Sequence, residues 1–314
     1  MTRHVILGGN GIVGRETASA LLAAGHSVAS VGRTESSRPR IDSILADVRD
    51  RSAVQDAVSG ADTAYLTVGL PYRTKTWRAD WPTIMGNAIE ACLAHGTHLV
   101  YFDNVYCYGR TDAPMTESTP IRPSSVKGKI RAELLRMLES ARPRGLRATI
   151  ARSADFYGPG ASTSVFNDLA IDKVAAGKEP TWLYDSRQPH SMTYTPDIGR
   201  ALAILGTDER AIGRTWHLPT AAPALTGEDY LALATGGRLR HRTMSMSTVR
   251  LGAIFIPAAR ESLELSYQNT APYIFDSTLF ESTFGMVPTP YAEGIAHTLQ
   301  HARTTAGRPS GAPA

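Results

Sequence analysis

Short runs of β-branched and apolar residues alternate with longer stretches of helical apolar spacing over the first 150 residues. The runs predict strands at 4–7, 27–31, 44–46, 64–68, 98–102 and 147–151, and the stretches between them predict helices at about 15–24, 50–59, 80–95 and 125–141. Strands that alternate with helices form right-handed crossovers, which place helices on both faces of a parallel sheet. The pattern therefore predicts an α/β fold with a doubly wound parallel sheet.

The pattern changes after residue 155, where glycine and proline become frequent and the predicted elements become short and mixed. We expect residues 1–155 to form a nucleotide-binding domain, to which a helix within 190–205 returns. Residues 156–303 then form a smaller, C-terminal substrate-binding lobe. Residues 304–314 are rich in Gly, Pro, Ala and Ser and are expected to be a disordered tail.

A glycine-rich turn follows the first predicted strand. Gly8, Gly11 and Gly14 are spaced by three residues and lead directly into a predicted helix. Such a turn lets a pyrophosphate approach the backbone and rest on the free N–H groups of the helix N-terminus. The order of strand, glycines and helix is typical of a Rossmann domain, with dinucleotide contacts expected from Gly8, Asn10, Gly11, Ile12 and Gly14.

The end of the second strand indicates which dinucleotide is preferred. NAD-binding sites place an acidic residue there to hold the ribose hydroxyls, but this chain has Gly32 followed by Arg33. A guanidinium group suits the additional 2′-phosphate of NADP. The sequence therefore favours NADP(H) over NAD(H), the alternative being a solvated basic loop.

Composition excludes several functional classes. The net charge is +4 and basic residues are scattered, so nucleic acid is not expected as a partner. No apolar run is long enough to span a membrane, and the two cysteines suit a reducing compartment, so we expect a cytoplasmic protein. His297 and His301 have helical ligand spacing but no third ligand, so no metal site is predicted.

Five segments resemble the extended short-chain dehydrogenase/reductase superfamily, in particular its NAD-dependent epimerase/dehydratase branch. They are the glycine turn, residues 46–48, residues 100–109 ending in Tyr-Gly, residues 116–120 ahead of the helix that contains Lys129, and residues 152–160. The resemblance implies that Asp47 and Val48 contact adenine and that Lys129 binds the nicotinamide ribose.

The same resemblance implies a catalytic Tyr-x-x-x-Lys pair and a Ser or Thr, and here the chain departs from the pattern. Ser125 stands four residues before Lys129, and Asn104 aligns with the Ser/Thr position. A serine hydroxyl is too weak an acid to replace the tyrosine. We therefore expect Tyr106 to donate the proton or merely to shape the pocket, and Asn104 to hold the substrate oxygen.

Further candidates follow the predicted sixth strand and the fourth. Asp155 replaces the family's Asn and is a possible base or carboxamide acceptor, or only a turn residue; Tyr108 and Tyr157 are further possible proton donors. The loop from Gly69 to Trp81 carries aromatic residues that either cover substrate or pack.

Three functions stay open at this point. The first is an NADP-dependent reductase or dehydrogenase that acts on a carbonyl, enone or imine of a small organic molecule. The second is a redox-neutral epimerase or isomerase, and the third is a non-catalytic nucleotide sensor. The family's paired helices also make a homodimer possible, through residues Ile84, Ala88, Ala91, Leu134, Leu135 and Leu138, although these residues would serve equally to face the sheet.

Overall fold

The structure is a computed structural model that describes residues 2–238 and 240–306. Its main sheet contains seven strands: β1 (Arg3–Leu7), β2 (Ser27–Gly32), β3 (Asp42–Leu45), β4 (Thr63–Leu66), β5 (His98–Asp103), β6 (Ala148–Arg152) and β11 (Thr215–His217). Their order is β11-β6-β5-β4-β1-β2-β3, and every neighbouring pair is parallel. The predicted doubly wound parallel sheet is confirmed.

Helices cover both faces of this sheet. They are α1 (Ile12–Ala23), α2 (Arg51–Val58), α3 (Thr74–His95), α4 (Val126–Ala141) and α6 (Thr195–Thr207). Val5 and Leu7 of β1 belong to the core beneath α2, α3 and α4, whereas Ile6 belongs to the core beneath α1 and α6. This alternation is the consequence of the two-residue period of a strand that is buried on both faces.

The C-terminal lobe contains the remaining elements. Its strands are β7 (Asp155–Tyr157), β8 (Thr181–Leu183), β9 (Pro189–His190), β10 (Met192–Tyr194), β12 (Leu225–Thr226) and β13 (Arg242–Met244), paired as β7–β10, β9–β12 and β8–β13. Its helices are α5 (Asp172–Ala175), α7 (Gly227–Thr235), α8 (Met246–Gly252), α9 (Pro257–Ser262), α10 (Thr278–Phe284) and α11 (Tyr291–Ala306). A separate aromatic core, which includes Phe166, Trp182 and Tyr230, lies within the lobe, whereas Phe280 of α10 packs in the core beneath α1 and α6.

The division between domain and lobe differs from the expected one. Helix α6 packs on α1, as expected for residues 190–205, but β11 also joins the main sheet beside β6. The lobe segment is therefore interrupted by a strand of the nucleotide-binding sheet. Helix α11 continues to Ala306, so residues 304–306 are helical, and the rest of the predicted tail lies outside the described residues.

Helix α3 begins earlier than predicted, at Thr74 instead of about residue 80. Trp77 and Trp81 are therefore helical residues and lie in the core, not in a loop. The six apolar residues considered for a dimer surface are also buried in that core and face the sheet. None of the helices that the structure describes is both long and apolar enough to cross a membrane.

Candidate functional site

The glycine turn lies at the carboxyl end of β1, where the strand order reverses between β2 and β4. Gly8 has φ +90°, and the Gly11 N–H donates to its carbonyl at 3.0 Å, which closes the turn. A Cβ on Gly14 would lie 2.5 Å from the Gly8 oxygen, so helix and turn meet without space for a side chain. Helix α1 then begins at Ile12 with no side-chain cap, which leaves its first N–H groups for an anion.

The loop after β2 is held by Asn10. Its amide Nδ2 donates to the Thr34 carbonyl at 2.6 Å, and its Oδ1 accepts from Ser30 Oγ at 3.1 Å. Asn10 therefore fixes the position of the intervening Arg33 by building the loop. Arg33 is exposed, and within residues 2–238 and 240–306 it forms no ion pair.

The segment expected to contact adenine is also built by internal contacts. Asp47 and Arg49 form an ion pair at 2.5 Å, and hydrogen bonds from Arg49 lower the pKa of Asp47 to about 2. The Val48 carbonyl accepts from Asn87 Nδ2 at 3.1 Å. Asp47 thus presents an already paired carboxylate at the edge of the dinucleotide crevice.

Residues after β5 form the centre of the cleft. Asn104 Oδ1 accepts the Tyr106 N–H at 3.0 Å, and within the described part of the chain its Nδ2 makes no hydrogen bond. That amide group can therefore donate to a substrate oxygen, as expected for Asn104. Tyr106 is half-buried and stacks on Trp77 with ring centroids 6.3 Å apart. Burial raises the pKa of Tyr106, and the nearby Asp155 raises it further, so its phenol is a poor proton donor.

Ser125 and Lys129, which occupy the positions of the family's Tyr-x-x-x-Lys pair, have different surroundings in the structure. Ser125 is the N-cap of α4, and its Oγ accepts the Gly128 N–H at 2.9 Å. Lys129 belongs to an exposed stripe on α4 together with Glu133 and Arg136. Each helical residue advances by about 100°, so Lys129 lies on the opposite side of α4 from the buried Lys127 and Arg131. This exposed placement gives no support to the predicted role of Lys129 in binding the nicotinamide ribose, which stays a prediction.

Two other cations of α4 face inward with the spacing that Ser125 and Lys129 have. Lys127 is fully buried, and its Nζ lies 2.6 Å from Glu261 Oε2 and 2.9 Å from Glu264 Oε1. Arg131, four residues later, lies 3.7 Å from Asp103 at the end of β5. Sequence reasoning missed both because it searched for a tyrosine at the first position of the pair.

Asp155 lies at the same edge of the cleft, directly after β6. Its Oδ2 lies 3.0 Å from His190 Nε2, and its side chain is 39% exposed. Sequence reasoning assigned no partner to His190, which lies 35 residues away along the chain. No local signal links the two residues, because they come together only when β7 pairs with β10, which places Asp155 opposite Met192, two residues after His190.

Four tyrosines surround this carboxylate: Tyr72, Tyr106, Tyr267 and Tyr273, in each of which Asp155 raises the pKa of the hydroxyl in addition to the effect of burial. Within the described residues, the Tyr267 and Tyr273 hydroxyls and the Gln268 Nε2 are buried without a hydrogen-bond partner. Buried polar groups without partners are rare in folded proteins.

Tyr108 and Tyr157, the other possible proton donors, are not available to a substrate. The Tyr108 hydroxyl is buried and bonds to His217 Nε2 and the Arg152 guanidinium, each at 2.7 Å. Tyr157 is fully buried in the core of the lobe. Both are structural residues.

The residues of the crevice fit a dinucleotide. The tight turn, the uncapped helix start and the absence of a side chain at Gly32 together suit a pyrophosphate and a ribose. When bound, the nicotinamide would supply or accept a hydride at the cleft. Among the residues that the chain contributes there, Asn104 can orient a carbonyl oxygen and Asp155 can hold a proton.

The chain is similar in sequence to three known proteins that differ in activity. The chain is 25% identical over 312 residues to 3beta-hydroxysteroid-dehydrogenase/decarboxylase isoform 2 of Arabidopsis thaliana, a match that covers 86% of this chain and 54% of the plant protein. It is 25% identical over 236 residues to dTDP-glucose 4,6-dehydratase of Mycolicibacterium smegmatis, covering 68% of this chain and 71% of that protein. A 3-diazoavenalumate denitrifying reductase of Streptomyces sp is 27% identical over 198 residues, covering 57% of this chain and 64% of the reductase.

Solved structures show the same fold. MoeE5 in complex with UDP-glucose and NAD superposes with a TM-score of 0.79 at 20% identity, covering 97% of this chain and 100% of that chain. UDP-glucose 4-epimerase of Thermus thermophilus in complex with NAD gives 0.75 at 16% identity, covering 96% and 99%. The model of the NAD-dependent epimerase/dehydratase family matches residues 4–218. The chain belongs to the NAD-dependent epimerase/dehydratase family and is an enzyme of the short-chain dehydrogenase/reductase type.

Proposed function

We propose that this protein is an NADP(H)-dependent oxidoreductase that moves a hydride between nicotinamide and a carbonyl, enone or imine of a small organic molecule. The observation that carries the cofactor preference is the end of β2, where Gly32 replaces an acidic residue and Arg33 follows without an ion pair in the described residues. A 2′-phosphate would meet this guanidinium, whereas NAD would leave it without a partner. We expect the protein to act in the cytoplasm, where its two free cysteines, Cys92 and Cys107, stay reduced.

The cleft supports a substrate that carries several oxygen atoms. Asn104 Nδ2 can donate to the reacting oxygen, and the buried polar atoms of Tyr267, Gln268 and Tyr273 can bond to oxygens elsewhere in the molecule. Leaving such groups unpaired costs roughly 1–3 kcal/mol each, so they discriminate against purely apolar substrates.

Calorimetric titration with NADPH and NADH tests the cofactor assignment. We expect micromolar NADPH binding with at least about tenfold preference over NADH, and the loss of that preference in Arg33→Ala. Arg136→Ala, an exposed substitution on α4, is the matched control and should bind as the wild type does. Equal binding of both dinucleotides by the wild type would refute the preference, and binding of neither would refute the function.

The second candidate is a redox-neutral epimerase or isomerase. The observation that favours it is the similarity in fold to NAD-bound nucleotide-sugar enzymes over nearly the whole chain. Such an enzyme would retain its dinucleotide through purification and convert substrate without net oxidation of cofactor. Stoichiometric loss of NADPH absorbance with each product formed would exclude it.

A further inference from the structure

Asp155 and His190 form a pair at the edge of the cleft. The two His190 ring nitrogens both face oxygen atoms: Nε2 lies 3.0 Å from Asp155 Oδ2, and Nδ1 lies 3.1 Å from the Gln268 carbonyl oxygen. The carbonyl can only accept, so a hydrogen bond at this position requires a hydrogen on Nδ1. A neutral ring would then turn its Nε2 lone pair toward a carboxylate oxygen, and two acceptors at 3.0 Å repel each other. One additional proton between Nε2 and Oδ2 removes this conflict.

We propose that the Asp155–His190 pair holds one exchangeable proton and supplies it to the substrate oxygen, so that it replaces the missing tyrosine as the proton donor of the site. Asp155 is the catalytic residue of the pair, since it borders the cleft, and His190 is a positioning residue that stores the proton. This inference rests on the proposed function for the identity of the reaction.

Packing fixes the pair in this orientation. The His190 ring stacks on Tyr273 with centroids 4.4 Å apart and 16° between the planes, and the edge of Trp182 closes another side. The Tyr230 hydroxyl donates to the His190 carbonyl at 2.8 Å. The His190 side chain is only 5% exposed, whereas that of Asp155 is 39% exposed, so exchange with substrate or water takes place through Asp155.

The other titratable groups that face Asp155 are weaker proton donors. These are the phenols of Tyr72, Tyr106, Tyr267 and Tyr273, and burial raises the pKa of each above its ordinary value. No lysine of the Tyr-x-x-x-Lys type counteracts this effect, because Lys127 is paired with two glutamates and Lys129 is exposed.

The protons balance in both directions. In reduction, bound dinucleotide would supply a hydride to the carbonyl carbon, and the Asp155 carboxyl would give the proton of the pair to the carbonyl oxygen. The pair is left as an ionised Asp155 and a neutral His190, and one proton from water restores it through the exposed carboxyl edge. Oxidation of an alcohol follows the reverse order.

Nitrogen-15 NMR of histidine-labelled protein tests the proton content without substrate or cofactor. We expect two protonated ring nitrogens on His190, or one protonated nitrogen together with a protonated Asp155 carboxyl by carbon-13. In Asp155→Asn, the amide can donate to Nε2, so the ring should become neutral with its single proton on Nδ1. His190→Gln assigns the signal. A wild-type ring that is already neutral beside an ionised Asp155 would overturn the proposal.

Kinetics then test the catalytic role, with a substrate found by NADPH-oxidation screening. We expect Asp155→Asn to lower kcat at least hundredfold and His190→Gln at least tenfold, with an increased solvent isotope effect on kcat and with NADPH affinity within twofold of wild type. The exposed substitutions Asp112→Asn and His297→Gln are matched controls and should leave kcat unchanged. Wild-type kcat in Asp155→Asn would overturn the proposal. Absence of NADPH binding would instead refute the proposed function and leave the NMR result to decide the pair.

Discussion

Replacing Lys127 by methionine should destabilise the protein, because this ammonium group holds the segment around α9 against the start of α4. Lys127 is fully buried, whereas Glu261 and Glu264 are 25% and 22% exposed. Removing one partner of a buried pair costs roughly 3–5 kcal/mol, and partial hydration of the two carboxylates reduces the expected loss to about 2–3 kcal/mol. With about 2.1 cal/mol/K of unfolding entropy per residue, roughly 300 residues convert this loss into a fall in Tm of about 4 °C.

The matched control is Lys129→Met, the same substitution two residues later on the exposed face of α4. It should change the unfolding free energy by less than about 0.5 kcal/mol and leave dinucleotide binding unchanged. Thermal unfolding gives the global effect, and hydrogen exchange shows whether the loss is concentrated in residues 257–269. Equal stability of the two variants would refute the importance of the buried cluster. A loss of NADPH affinity confined to Lys129→Met would refute the outward placement of that lysine.

Two further substitutions test the turn and the buried histidines. Gly14→Ala should lower dinucleotide affinity at least tenfold in calorimetric titration, because its Cβ would lie 2.5 Å from the Gly8 oxygen. Gly69→Ala is the control and should bind the dinucleotide as the wild type does, because a Cβ on Gly69 would meet nothing within 4 Å. Burial lowers the pKa of His98 to about 4. The unfolded chain therefore binds a proton at His98 below about pH 6.5, whereas the folded chain binds it only near pH 4. The free energy of unfolding consequently decreases as the pH falls from about 6.5 to about 4. Denaturant titrations should therefore show that the free energy of unfolding falls less between pH 7 and pH 5 in His98→Gln than in wild type, by about 2 kcal/mol. An equal fall in both proteins would contradict a neutral buried ring.

The sequence predicted the nucleotide-binding half of the protein well. Each predicted strand of the first 150 residues is present within two residues of its expected ends. Five of these strands are buried on both faces and therefore are continuous apolar runs, whereas β3 is an exposed edge strand. The glycine turn could also be predicted from the sequence, because the local backbone geometry requires glycine at positions 8 and 14. The start of α3 was not, because Trp77 and Trp81 are aromatic residues whose burial depends on the sheet and on α4.

The candidate site likewise contains residues that could be named from the sequence and residues that only the structure revealed. Arg33 and Asn104 could be named as candidates from the sequence because each directly follows a strand, and parallel strands end at a common edge. The choice among Ser125, Lys127 and Lys129 was not determined by spacing, since two pairs of residues on α4 share the same interval and only packing decides which one faces inward. The sequence by itself thus determined the fold of the first half and its dinucleotide turn, both of which depend on local periodicity and backbone conformation. Only the tertiary structure joined Asp155 to His190, because the pairing of β7 with β10 places Asp155 opposite Met192, two residues after His190, and no property of either segment alone specifies that pairing.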